Sequence, residues 1–179
     1  IRAKLPDYDV KSMEEEGIDI DVEENGTTFE ENAVIKAEAI MNICNQIVVA
    51  DDSGLEIDYL DKAPGVLSAR YLGHDTPYDY KNRKILEQLE GVPEDKRTAR
   101  FVCAMAVACP GKETKVVRGT IEGIIGYEIA GENGFGYDPI FYLPELKKTT
   151  AELSMEEKNK ISHRGKALDE VRKILEEME

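Results

Sequence analysis

The chain has 179 residues, of which 41% are hydrophobic, and this size and composition predict one domain, residues 1–179, with a single buried core. With 37 acidic against 23 basic residues the formal net charge is -14, so the overall field repels nucleic acid and anionic membrane surfaces. No stretch approaches the length of a membrane span, and three cysteines without metal-ligand spacing leave an odd count for disulfides, so we expect a soluble, cytoplasmic protein.

The first elements are predicted to be short. Residues 8–11 and 18–22 carry the side chains of short strands, with an acidic loop between them. Residues 1–5 are typical of the end of a helix, so we expect further sequence upstream of Ile1.

A helix is predicted over residues 28–44. Thr28 followed by Glu31 matches a capping box at its start. Successive residues of a helix are about 100° apart, so Lys36 lies within about 20° of Phe29, inside the apolar stripe. A lysine there either extends its amine to the edge of the stripe or has an anionic partner. Because the helix leads directly into the next strand, Lys36 could face the acids at the end of that strand.

Two adjacent carboxylates follow that strand. Residues 47–50 are predicted to form a buried strand that ends at Asp51-Asp52-Ser53-Gly54. Ligands bind at the carboxyl ends of strands in open α/β sheets, so the pair could hold a divalent metal or activate a water. An Asx turn that caps the next element is the alternative.

The middle of the chain predicts an α/β fold with a mixed sheet. A half-exposed strand is expected at residues 56–60 and a helix at residues 77–89. Residues 98–109 and 115–125 read as two strands joined by a short turn, an antiparallel hairpin.

The last third of the chain contains two further candidate features. Residues 131–141 interleave glycines with aromatic residues, which suits either a loop that approaches a flat ligand or a turn with an aromatic plug for the core. Lys158, His163 and Arg164 form a basic cluster just before a final amphipathic helix. In isolation such a cluster is more often a set of solvent-exposed charges than a binding site.

Together these features are the parts of a nucleotide site. Carboxylates can hold a metal for the phosphates, lysines can supply further positive charge, and a ring can stack on the base. The acids are Glu24, Asp51 and Asp52, and the cations are Lys36, Lys158 and Arg164. The sequence contains no P-loop or dinucleotide glycine pattern.

Five motifs in order, from about residue 24 to about residue 168, resemble those of the non-canonical purine nucleoside triphosphate pyrophosphatases, the inosine and xanthosine triphosphate pyrophosphatase family. They are Thr28-Phe29-Glu30-Glu31-Asn32-Ala33 with Lys36, Ala50-Asp51-Asp52-Ser53-Gly54-Leu55, Pro64-Gly65-Val66 with Ser68-Ala69-Arg70-Tyr71, Gly134-Phe135-Gly136-Tyr137-Asp138-Pro139, and Lys158 with Ser162-His163-Arg164.

The resemblance implies an elongated central sheet flanked by helices, in two lobes with the active-site cleft between them. It also implies a Mg²⁺-dependent homodimer that cleaves ITP, dITP or XTP to the monophosphate and pyrophosphate. Its substrate partner is a purine nucleoside triphosphate, and no nucleic acid or membrane is expected as a partner.

The resemblance also assigns roles to residues. Asp52 is implied as the general base and, with Glu24, as a metal ligand, while the role of Asp51 is not assigned. Contacts to the substrate are implied for Ser53, for Lys36 and Lys158 on the phosphates, for Phe135 stacked on the base, and for Gly136, Tyr137, Asp138, His163 and Arg164 around the base.

One departure from the family pattern leaves two alternatives. The family opens with a strand and a phosphate loop containing Thr/Ser-Gly-Asn and a lysine, and no residues here match them. A nucleotide-binding protein without catalysis is therefore one alternative, and a Maf-type nucleotide pyrophosphatase is the other.

Overall fold

A computed structural model describes all residues, Ile1–Glu179, and confirms the α/β class. The helices are α1 (Phe29–Cys44), α2 (Tyr78–Gln88), α3 (Met155–Ile161) and α4 (His163–Glu177). The strands are β1 (Val48–Ile57), β2 (Ala63–Pro64), β3 (Thr98–Ala108), β4 (Lys115–Ile125), β5 (Phe141–Leu143) and β6 (Lys148–Thr149). None of the helices has both the length and the apolar character that a membrane crossing requires.

The six strands form one sheet in the order β2-β1-β3-β4-β5-β6. The pairs β1–β2, β4–β5 and β5–β6 are antiparallel. Strands β3 and β4 are neighbours joined by six residues, a connection too short for a parallel crossover, so they form the predicted antiparallel hairpin.

The chain divides into two compact units, each made of separate segments. The first unit contains residues 1–52, 103–119 and 164–179, and the second contains residues 53–102 and 120–163. The prediction of a single domain over residues 1–179 stays a prediction.

Each unit has its own apolar core. In the first, α4 packs its apolar stripe on one face of β3, and the buried residues are Leu5, Cys103, Met105, Val107, Ala167, Leu168, Val171 and Leu175. In the second, α2 packs against residues of the sheet and of the segment before α3. Large buried residues of this second core include Leu55, Ile57, Ile85, Leu89, Phe101, Ile125, Ile140, Phe141 and Leu153.

The two short strands predicted near the start of the chain are wrong. Residues 1–28 contain only turns, bends and irregular backbone, and their backbone hydrogen bonds are local, such as Leu5 N to Ile1 O at 3.2 Å. A strand forms only where a second strand accepts and donates its backbone hydrogen bonds, and β-branched residues alone do not supply that partner.

A buried arginine fastens the end of α2 to the sheet of the second unit. Arg97 is 1% exposed and donates to the carbonyl oxygens of Leu89 at 2.6 Å, Ile125 at 2.8 Å and Gly126 at 2.5 Å, with a longer bond of 3.3 Å to Val92. Its guanidinium also lies 4.2 Å from the ring centre of Tyr127. Burial lowers the pKa of Arg97, whose donors are directed at backbone carbonyls.

Candidate active site

Asp51 and Asp52 lie within β1 and not after its end, which corrects the predicted strand boundary. Strand β1 runs from Val48 to Ile57 between β2 and β3, so backbone pairing continues past the acids. A strand tolerates polar side chains where other elements supply partners for them. Because successive residues of a strand point to opposite faces, Asp51 and Asp52 leave β1 in opposite directions.

Asp52 is held by α1. Its side chain is 9% exposed, and its Oδ2 accepts a hydrogen bond of 3.1 Å from Asn32 Nδ2. Burial raises the pKa of Asp52 to about 6; the bond from Asn32 and the charge of Lys36 oppose this rise, and the charges of Glu24 and Asp51 add to it. A carboxyl with such a pKa is mostly ionised at neutral pH and yet basic enough to accept a proton.

Asn32 is a site residue that the sequence predictions missed. It is 1% exposed, and its Oδ1 accepts a bond of 2.8 Å from the backbone of Gly26, so both ends of the amide are used. Its signal lay in the helical spacing, since it precedes Lys36 by four residues and therefore shares the inner face of α1.

Lys36 faces the acids, as predicted, and it has an anionic partner. Its Nζ lies 2.8 Å from Glu24 Oε1 and also donates to the backbone carbonyl of Asp51. Thr28 caps α1, as predicted, by accepting from Glu31 N at 3.0 Å, but the carboxylate of Glu31 returns to Thr27 N at 2.6 Å and not to Thr28 N.

Asp51 forms an ion pair with Arg164. The distance from Arg164 Nη2 to Asp51 Oδ2 is 2.6 Å, and the side chains are 53% and 29% exposed. The charge of Asp51 outweighs the effect of burial and raises the pKa of Arg164. The basic cluster is thus not only a set of solvent-exposed charges, because one of its members forms an ion pair with a residue of β1.

Phe135 is displayed on the aromatic glycine loop, residues 131–141, in the second unit. Its ring is 80% exposed, and Lys158 Nζ lies 4.9 Å from the ring centre. Gly134 and Gly136 flank it with φ of +73° and +62°. A Cβ on Gly134 would stand 2.2 Å from Asp138 Oδ2, so this position requires glycine for space as well as for conformation.

Asp138 organises that loop from within. It is 3% exposed, and its carboxylate accepts from Phe135 N at 2.9 Å, Thr150 Oγ1 at 2.7 Å and Lys158 Nζ at 2.5 Å. Since these bonds lie inside the protein, contact of the Asp138 and Lys158 side chains with a substrate stays a prediction.

Tyr137 is a core residue. It is 5% exposed, its hydroxyl donates to the carbonyl of Ser68 at 2.5 Å, and burial raises its pKa. The aromatic plug of the core is therefore present as Tyr137, whereas stacking of the exposed Phe135 ring on a flat ligand stays a prediction.

His163 and Ser53 complete the predicted residues. His163 is the first residue of α4, although the helix was predicted to begin only after the basic cluster, and its ring stacks on Phe101 with centroids 5.3 Å apart at 18°. Ser53 lies in β1 directly after Asp52 and is half-buried. Their contacts with a substrate stay predictions.

Two carboxylates of the first unit, those of Glu24 and Asp52, are candidates to hold a divalent cation. Nowhere do three or more His, Cys, Asp or Glu side chains come together to hold a metal ion. Mg²⁺ is commonly held by one or two carboxylates together with phosphate oxygens and water. Glu24 and Asp52 could provide the two carboxylates, and the charge of Glu24 adds to the rise that burial causes in the pKa of Asp52.

Comparison with known proteins identifies the family. The Ham1 family model matches residues 1–174. The chain belongs to the Ham1 family. A Ham1 relative, the dITP/XTP pyrophosphatase of Bacillus subtilis, is 54% identical over 169 residues, which cover 94% of this chain and 85% of that protein. The dITP/XTP pyrophosphatase of Geobacillus kaustophilus is 55% identical over 158 residues, 88% of this chain and 78% of that protein.

The Ham1 fold is also found among solved structures. The Ham1 protein of Staphylococcus aureus superposes with a TM-score of 0.93 at 46% identity, covering 99% of this chain and 92% of that chain. A HAM1 protein from Coxiella burnetii gives a TM-score of 0.90 at 42% identity, covering 98% and 91%. These Ham1 relatives confirm the resemblance found in the sequence motifs.

Proposed function

We propose that this protein hydrolyses non-canonical purine nucleoside triphosphates, namely ITP, dITP and XTP, to the nucleoside monophosphate and pyrophosphate. The observation that carries the proposal is the environment of Asp52, a buried carboxylate with a pKa of about 6, fixed by Asn32 and flanked by Glu24 and Lys36. The relatives named dITP/XTP pyrophosphatases, at more than half identity, support the choice of substrate.

The reaction adds water across the anhydride between the α- and β-phosphates. Asp52 takes a proton from the attacking water, and Asn32 keeps its carboxyl oriented. The amine of Lys36 provides positive charge for the phosphates, where hydrolysis needs neutralisation. Mg²⁺, when held by Glu24, Asp52 and the phosphates, supplies further neutralisation of the phosphate charge.

Base selection is assigned to the second unit and to the start of α4. The exposed ring of Phe135 stacks on the purine. A 6-keto purine needs hydrogen-bond donors at that position, which His163, Arg164 or backbone amides can provide. With adenine the same donors face an amino group and lose their acceptor. This mismatch can give a large preference for 6-keto purines over adenine.

The assay must separate pyrophosphate release from phosphate release. Purified protein with Mg²⁺ is given ITP, dITP, XTP or ATP, and phosphate is measured with and without added inorganic pyrophosphatase. Phosphate should form from ITP, dITP and XTP only when the auxiliary enzyme is present, and ATP should be poorer by about 100-fold or more. Asp52→Asn should remove turnover, while Asp19→Asn, an exposed matched change, should not. Stepwise release of single phosphates, or equal use of ATP, would contradict the proposal.

We also propose a homodimer located in the cytoplasm. The family resemblance supports the dimer, and the three free cysteines fit a reducing compartment. Light scattering coupled to size exclusion measures the mass, for which we expect twice 20.0 kDa.

A further inference from the structure

A buried amide on α2 holds the aromatic glycine loop. Asn82 is 2% exposed, and its Nδ2 donates to the carbonyl oxygen of Gly136 at 3.1 Å. Because a carbonyl can only accept, this contact fixes which end of the amide is the nitrogen. The bond joins residues 54 positions apart in the sequence.

The other end of the same amide has no hydrogen-bond partner. Asn82 Oδ1 is buried and unpaired. An unpaired buried acceptor destabilises a fold, whereas an apolar side chain of similar shape, such as leucine, avoids that penalty. The presence of asparagine is therefore explained by its donor and not by packing.

The Nδ2 donor of Asn82 fixes the backbone on one side of Phe135. Asp138 accepts from Phe135 N at 2.9 Å, and Asn82 holds the next residue, Gly136, through its carbonyl. Two glycines with positive φ flank the ring, and the ring itself is 80% exposed, so neither backbone stiffness nor packing fixes its direction. Hydrogen bonds to the loop backbone do, and they also include a bond of 3.2 Å that the carbonyl of Phe135 accepts from Asp138 N.

The neighbouring residues of α2 reinforce this support. The ring of Tyr78 meets that of Tyr137 edge to face at 5.1 Å, and Lys81 Nζ donates to the carbonyl of Ala69 at 2.8 Å. Tyr137 in turn donates to the carbonyl of Ser68, next to Ala69. The first turns of α2 therefore contact the loop and the segment behind it.

We infer that Asn82 is a positioning residue for base recognition, whose amide holds Gly136 so that the ring of Phe135 is presented to the purine. The inference rests on the proposed function and deepens it. The hydrogen bond of Asn82 goes to the backbone of the loop that carries Phe135 and not to Asp52, so its loss should weaken substrate binding and leave the chemical step intact.

The test compares Asn82→Leu and Asn82→Asp with the wild type, using ITP and Mg²⁺. Leucine removes both the donor and the unpaired acceptor, and an ionised aspartate cannot donate. We expect KM to rise about tenfold, which is part of the loss of binding expected when one base–aromatic stacking contact is removed. The value of kcat should stay within about threefold of wild type. The urea midpoint of Asn82→Leu should match that of wild type, because Gly136 is only half-buried and water can replace the lost donor. Arg83→Leu, an exposed neighbour on α2, serves as the matched control and should change neither constant.

A double-mutant cycle decides whether Asn82 acts through Phe135. In a Phe135→Ala background, Asn82→Leu should change KM by less than about twofold, because the ring it positions is gone. An equal rise of KM in both backgrounds, a fall of kcat at constant KM, or a lowered urea midpoint with unchanged KM would overturn the inference. Absence of pyrophosphate from the wild-type protein would instead refute the proposed function.

Discussion

Replacing Asp52 by asparagine is expected to stabilise the metal-free protein at the same time as it removes turnover. Asparagine has the same shape as aspartate, and its Oδ1 can accept the bond that Asn32 donates. What the substitution removes is a buried negative charge. Residues that serve chemistry commonly carry such a penalty in stability.

The size of the effect follows from the pKa of Asp52. Burial raises this pKa from 3.8 to about 6 in the folded protein. The difference is about 2 units, and each unit corresponds to about 1.4 kcal/mol, so the ionised carboxylate costs the folded state roughly 3 kcal/mol. The folded state binds the proton of Asp52 more tightly than the unfolded state does. The contribution of Asp52 to the free energy of unfolding is therefore fully present below pH 3.8 and is lost as the pH rises through 6. Asp52→Asn should therefore exceed wild type by about 3 kcal/mol at pH 8 and by about half of that at pH 5.

Urea unfolding of both proteins in EDTA, at several pH values from 5 to 8, measures this difference. Groups that do not interact with Asp52 titrate alike in the two proteins, so the difference isolates Asp52 together with its coupling to Lys36, Glu24 and Asp51. Asp19→Asn, at an exposed aspartate, should show no pH-dependent difference. Addition of Mg²⁺ should stabilise wild type more than Asp52→Asn, because a ligand of the folded state adds to its stability. A stability difference that stays constant from pH 5 to 8, or an Asp52→Asn protein less stable than wild type at pH 8, would refute the reasoning.

Three further changes test other contacts. Arg97→Met should lower the free energy of unfolding by about 3 kcal/mol, because four carbonyls in buried residues lose the bond from the guanidinium; an unchanged urea midpoint would contradict this role. Thr28→Ala should lower it by about 1 kcal/mol through loss of the α1 cap, and a loss below a few tenths would show that the cap is dispensable. Asp51→Asn should raise KM for ITP about fivefold through loss of an ion pair worth ~1 kcal/mol, and it should have little further effect once Arg164 is alanine. A collapse of kcat as in Asp52→Asn would instead make Asp51 part of the chemistry.

The elements that the sequence predicted correctly are those with a long, regular pattern. Helix α1 and strands β3 and β4 lie within a residue or so of their predicted bounds, because each repeats its apolar spacing over ten or more residues. The position of Lys36 near the acids was also found, since Lys36 interrupts the apolar stripe of α1 and so indicated an anionic partner.

The failures have one physical cause, which is that their partners are distant in sequence. Strand β1 continues through two acids whose side chains bond Asn32 and Arg164, and the residues next to the acids in the sequence do not show that these partners lie there. Likewise Asn82 was not singled out from the sequence, and its partner in the glycine loop lies 54 residues away in the chain. Residues 8–11 had strand-like side chains but no strand to pair with.

Side chains along β1 point alternately to the two faces of the strand, so two adjacent residues of the same type, Asp51 and Asp52, have different surroundings. Asp51 turns to Arg164 and Asp52 turns to Asn32, and this assignment depends only on whether each residue occupies an odd or an even place along the strand. Inserting one residue just before Asp51 would keep both carboxylates in the chain but exchange their faces. An enzyme with such an insertion would retain its motif and lose its base, whereas an insertion of two residues would restore the original parity.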